Sequence, residues 1–166
     1  PTTTDPVYLP RVENHIWDGS AWVKGYKHEE ASTQLLHTTN ALVTQTHTVT
    51  AVLHTLHFTG TGTVTLSGAS TAGPLVGTGT GEQNRVSLSF TPSAANVTLT
   101  VSGAVTDAQL ETGVQTSYIP NLAGSGTVTR AADSLTVPVA NIPYPTGGSL
   151  AVSFAMEGFM TYADTG

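Results

Sequence analysis

Along residues 46–111 apolar and polar positions alternate in short runs, each closed by Gly, Pro, Asn or Ser. A period of two places successive side chains on opposite faces of an extended chain, so each run predicts a strand with one face buried and one in water. GTGTVTLSG (60–68) puts Val64 and Leu66 inward and Thr63, Thr65 and Ser67 outward. RVSLSF (85–90) buries Val86, Leu88 and Phe90, and NVTLTVSG (96–103) buries Val97, Leu99 and Val101. In THTVTAVLHTLHF (46–58), Val49, Ala51 and Leu53 share one parity while Leu56 and Phe58 take the other. Such a switch requires a bulge or a corner near His54. TDAQLE (106–111) reads as the last strand, with Ala108 and Leu110 inside and Asp107, Gln109 and Glu111 on the solvent face.

The flanks are less regular. HIWDGSAWV (15–23) predicts a hairpin turning at Asp18-Gly19, a pair suited to the positive φ angles of a tight turn. QLLHTTNALVT (34–44) suits a short strand with a loop better than a helix. Gly113 ends the last strand, and TSYIP (116–120) leaves the sheet with Tyr118 and Ile119 packing back on its rim. NLAGSG (121–126) reads as a flexible joint, after which TVTRAADSLTVPV (127–139) resumes β structure. SLAVSFAM (149–156) sets Leu150, Val152, Phe154 and Met156 on one face with no partner strand before Gly166. The predicted fold is all-β: an antiparallel, jelly-roll-like β-sandwich with an N-terminal hairpin and the start of a second β-domain. Its divisions are an extension over residues 1–30, the sandwich over 31–122, and a linker with first strands over 123–166.

Composition supports this picture. Apolar residues make up 39% of the 166, enough for a core, while Asp, Glu, Lys and Arg together reach only 10%. Thr, Ser and Gly fill the difference, and β-branched Thr favours strands. Net charge is −6, and the basic residues Arg11, Lys24, Lys27, Arg85 and Arg130 are scattered, which argues against nucleic acid as a partner. No cysteine is present, and no apolar run approaches the roughly 20 residues of a membrane span. Pro1 in place of Met points to a start inside a longer product.

Candidate chemistry is sparse. Sugar rings stack on aromatic faces, so Trp17, Trp22 and Tyr26, the dense aromatic cluster, together with Tyr118, are the candidate carbohydrate-binding residues. The competing role for the hairpin aromatics is docking the hairpin on the sandwich, since an isolated hairpin is marginal in water. His47, His54 and His57 resemble a metal cluster only until strand geometry is applied, because i and i+3 on a regular strand point to opposite faces. Asp107 and Glu111 lie roughly 13 Å apart along a strand, too far for a glycosidase acid and base. No nucleophile elbow or phosphate-binding loop is present, so the expectation is a protein that is not an enzyme, with no metal and no cofactor. Uncharged Thr-rich faces lack the charged guards that block strand pairing, which predicts self-association.

TAVLHTLHFTGTGTVTLSG (50–68), AQLETGVQTSYIP (108–120) and TRAAD (129–133) together resemble the recurring module of minor structural proteins in tailed bacteriophages and related gene transfer agents. There a carbohydrate-binding-type β-sandwich ends in an AQLE-G-x-x-TSYIP-T signature and a TRAAD segment leads into a concanavalin-like lectin domain. YLPRVENHIWDGSAWVKGYKHEEASTQLL (8–36) is similar to their lead-in, but EEASTQLL lacks the Arg of the usual EEARTNLL, so a salt bridge of the relatives is expected to be missing. Asn121 stands where Thr is common. The resemblance implies a virion protein, in a head fibre or spike or a tail fibre, that meets host surface polysaccharide during adsorption. It also implies other virion proteins as partners, a homo-oligomer with a trimer by analogy to fibres, and a structural Ca²⁺ near Asp107. Two further readings stay open: a scaffold that only anchors the appendage, and a fragment of a depolymerase with its catalytic residues elsewhere.

Overall fold

A computed structural model describes the backbone of residues 11–17 and 22–27 and the full residues 29–134. The chain divides into two compact units, one holding the hairpin and the other formed by residues 29–132.

In the hairpin, β1 (Arg11–Trp17) runs antiparallel to β2 (Trp22–Lys27), with Trp17 opposite Trp22 and Val12 opposite Tyr26. The register slips between Asn14 and Ile16, so His15 is the extra residue of a bulge. The predicted hairpin is present, while Asp18-Gly19 lies outside the described residues.

The second unit is an antiparallel sandwich. Its strands are β3 (Ser32–Gln34), β4 (Gln45–Thr48), β5 (His54–Gly60), β6 (Thr63–Gly68), β7 (Leu75–Val76), β8 (Val86–Phe90), β9 (Asn96–Ser102), β10 (Val105–Thr112) and β11 (Val128–Arg130). One sheet has the order β4-β9-β6-β7, the other β10-β5-β8, and β3 pairs with β11. Val64, Leu66, Val97 and Leu99 from the first sheet meet Leu56, Phe58, Phe90, Ala108 and Leu110 from the second, closed by Leu36, Leu42 and Val105. The period-two reading is therefore correct for β6, for Val97 and Leu99 of β9, and for Phe90, while Val86, Leu88 and Val101 are only half-buried. For β8 the reason is its place at the edge of its sheet.

The parity switch before His54 is a corner. β4 belongs to the four-stranded sheet and β5 to the other, and the connection from 49 to 53 crosses between them. Val49 stays buried, but Ala51 and Leu53 are exposed, so the three do not share one face as their common parity predicts. No strand exists there to hold them in register.

β11 pairs with β3 through Val128 to Gln34 and Arg130 to Ser32, which brings residues 128–130 into the sandwich unit. The intervening NLAGSG segment is anchored at its start. Asn121 is buried, and its Nδ2 donates to the carbonyls of Leu36 (2.9 Å) and Gly126 (3.0 Å).

Candidate functional site

The polar residues of AQLE fold into the molecule. β10 is bulged: its pairing with β5 slips between Thr106 and Gln109, and Asp107 adopts φ 48, a left-handed angle that Asp tolerates. Beyond the bulge Gln109 lies opposite His57 and Glu111 opposite Thr55, so these side chains share the face of β5 that points away from the core. The sequence placed that face in water. Instead Thr55, His57 and Thr59 are each 1% exposed or less, as are Gln109 and Glu111. The covering layer is the segment that follows β10, which brings its own hydrogen-bond donors.

Glu111 is the hub of this layer. One carboxylate oxygen, Oε2, accepts from the hydroxyls of Ser32 and Thr116 (2.6 Å for the latter), while Oε1 accepts from the Thr116 backbone N–H (2.8 Å) and from His57 Nε2 (3.1 Å). His57 Nδ1 faces the Arg85 guanidinium at 2.9 Å. Arginine only donates, so Nδ1 must be an unprotonated acceptor and the ring carries its proton on Nε2, toward Glu111. Arg85 also donates to the carbonyl of Asp107 (2.8 Å) and clasps Glu82 with Nε and Nη2 (2.7 and 2.5 Å). Burial pushes the His57 pKa down; the bond to Glu111 acts the other way, the Arg85 charge adds to the fall, and the net shift is downward. For Glu111 burial pushes the pKa up, but the bonds from His57, Ser32 and Thr116 outweigh it and hold the carboxyl below its ordinary value.

Gln109 and Gln34 complete the layer. The Gln109 amide oxygen accepts from the Ile119 N–H (2.6 Å), and its nitrogen donates to Thr116 Oγ1 (3.2 Å). Gln34 is fully buried, donating to the carbonyls of Ala108 (2.8 Å) and Ile119 (3.2 Å) and accepting from the N–H groups of Leu36 (3.0 Å) and Leu110 (3.1 Å). A second clamp joins the ends of the unit, because Arg130 donates to Glu29 at 2.8 Å with both side chains nearly buried. Glu29 in turn accepts from the Ser117 N–H (2.6 Å). Ser32, at the position where the sequence lacks an Arg, donates its hydroxyl to Glu111, and the neutral His57 ring donates to the same carboxylate.

Ser32, His57 and Glu111 are the residue types of a hydrolytic triad in another order. The Ser32 hydroxyl donates to the carboxylate, not to the imidazole, and both ring nitrogens of His57 are occupied. Such an arrangement holds segments together. It offers no activated nucleophile.

Tyr118, the candidate sugar-stacking residue of the sandwich, is half-buried at the rim. Its hydroxyl bonds Thr39 Oγ1 at 2.7 Å, and the Arg85 guanidinium carbon lies 5.6 Å from the ring centre. Burial raises its pKa. The sealing role expected of Tyr118 and Ile119 is visible, since Ile119 is 2% exposed. For Trp17, Trp22 and Tyr26 the backbone alone is described, with the two Trp residues opposite each other. His54 Nδ1 meets the Val52 carbonyl (2.8 Å) and His47 Nε2 meets Gln45 Oε1 (2.6 Å). Among the described residues no group of three or more His, Asp or Glu is placed to hold a metal ion. A depression of about 390 Å³ lined by Pro120, Asn121, Leu122, Ala123 and Val128 contains no ionisable side chain.

The remaining surface feature is the outer face of the four-stranded sheet. It carries Thr46 and Thr48 on β4, Asn96, Thr98, Thr100 and Ser102 on β9, and Thr63, Thr65 and Ser67 on β6, with Val76 of β7 at one edge. Register aligns them in rows across the strands: Thr46, Thr98 and Ser67 form one, Thr100 and Thr65 the next. Thr46 and Thr98 share a hydroxyl bond of 2.8 Å, and Thr48 donates to Asn96 Oδ1 at 2.8 Å. The charged residues of the unit, Glu29, Glu30, Glu82, Arg85, Asp107, Glu111 and Arg130, all lie on other segments. Where β5 is buried on both faces, β6 and β9 keep theirs open on one. No protein-family model, curated protein or solved structure matches this chain.

Proposed function

We propose that this chain is a non-enzymatic part of a virion appendage, a head fibre or spike or a tail fibre, whose sandwich binds host surface polysaccharide during adsorption. The observation that carries the reading is the open face of β4-β9-β6-β7, a continuous array of hydroxyl and amide groups on a stiff sheet. Polysaccharides present dense hydroxyls of their own, and such a face pairs with them without desolvating a charge. The virion setting comes from the AQLE to TRAAD segment of the sequence. The buried network around Glu111 supports the reading indirectly, because it makes the opposite sheet and the chain after β10 one rigid support.

Retention of the recombinant chain on immobilised bacterial surface polysaccharides tests the proposal. Retention is the expected result. A folded chain retained on none of them would turn the assignment to the scaffold reading, in which the sandwich only spaces or anchors the appendage.

A further inference from the structure

We infer that the ligand of the open sheet face is an uncharged polysaccharide lying across the Thr rows centred on Thr98. The inference rests on the polysaccharide-binding reading above and narrows it to one surface and one class of polymer.

Charge is the first argument. Residues 31–81 contain no Asp, Glu, Lys or Arg, and β9 contains none either, so all four strands of this face present no formal charge. An acidic capsule polymer or a nucleic acid would find no cation to pair with, and a basic polymer no carboxylate. A protein partner would find none of the large aromatic or Arg anchors that dominate such interfaces. What remains is a neutral, hydroxyl-rich partner.

Geometry is the second argument. Adjacent strands lie roughly 4.8 Å apart and alternate residues of one strand roughly 6.7 Å apart, so the rows offer hydroxyls at the scale of single sugar rings. A hydroxyl has one proton and two lone pairs, so the bond between Thr46 and Thr98 leaves acceptor capacity on both. Thr is β-branched and rotationally stiff, and pairing across the strands stiffens it further, so little side-chain entropy is lost when a polymer settles on the rows. Individual contacts of this kind are weak. Affinity then depends on many copies engaging one polymer, which a multimeric appendage provides.

The experiment compares retention of the chain on neutral polymers (neutral bacterial O-polysaccharides, dextran, mannan) and on charged ones (hyaluronan, chitosan). Beside the wild type run Thr98→Lys, Thr98→Asp and the Trp17→Ala, Trp22→Ala double variant, each confirmed folded by circular dichroism and sized by sedimentation. The expected result is wild-type retention on at least one neutral polymer only, at least tenfold weaker retention of both Thr98 variants there, and unchanged retention of the double Trp variant. Preference for a charged polymer, or a gain in one Thr98 variant, would overturn the neutral-ligand inference. Loss in the Trp variant with the Thr98 variants intact would move the site to the hairpin and leave polysaccharide binding standing. A wild-type oligomer that dissociates in both Thr98 variants would make the face a contact between copies, against the inference. No retention of the folded wild type on any polymer would remove the functional reading itself, and the inference with it.

Discussion

Glu111 shows how far a single residue can depart from its pattern-based environment. A carboxylate on the polar parity of a strand is ordinarily solvated, yet this one is fully buried and accepts four hydrogen bonds. Replacing it by Ala leaves the buried donors of His57, Ser32 and Thr116 without their acceptor, and the expected loss is about 3 to 5 kcal/mol, read from urea unfolding. Tyr118→Phe removes one half-buried hydroxyl bond to Thr39 and is expected to cost about 1 kcal/mol, a smaller shift in the same assay. His57 makes the latch sensitive to acid. Its folded pKa lies below the ordinary 6.5, so the unfolded chain takes up protons that the folded one refuses, and stability present above that value is lost as pH falls below it. The lowered pKa of Glu111 adds a loss of the same sign further into acid, as pH falls from 4.5 through its folded value. Thermal midpoints are therefore expected to drop as pH falls below about 6.5, and to drop less in His57→Gln. An equal slope in that variant would remove His57 from the cause.

At the level of elements, the strand-to-strand connections carry the constraints that alternation omits. Gly60, at φ 121, ends β5 where a Cβ would lie 2.2 Å from the Ala104 carbonyl oxygen, so Gly60→Ala is expected to cost more than about 1 kcal/mol. A thermal midpoint equal to wild type would show that β5 and β10 tolerate a wider separation there. β11 illustrates a different omission: three residues across a Gly-rich loop close the unit by pairing with β3 and by placing Arg130 on Glu29. A chain ending at residue 122 is thus expected to unfold at lower urea than one ending at 134, because it leaves Glu29 without its guanidinium and β3 without its partner. Equal midpoints would return residues 128–130 to the linker.

For the whole molecule, the two sheets divide the labour. One is covered over the outer side of β5 and β10 by the chain after β10 and is committed to stability; the other stays open, uncharged and hydroxylated. Since no charge lies on the open face, polysaccharide retention is expected to change little between about 50 mM and 500 mM salt, whereas a charged partner would be lost over that range.

The period-two pattern and the Thr-rich, charge-poor composition sufficed for an all-β antiparallel sandwich, for the inward residues of β6 and β9, and for the hairpin of β1 and β2. Each follows from interactions within a strand or between a strand and water. The seat of Glu111 and Gln109 required the tertiary structure, because alternation reports which side chains share a face and not what covers it. Ser32 is 79 residues from Glu111 and His57 is 54, so no local pattern records that they meet. The corner at 49–53 and the return of β11 to β3 were settled the same way, by which sheet had room for each segment. The open Thr face stood between: its hydroxyls were legible in the alternation, but only strand order and register made them one surface.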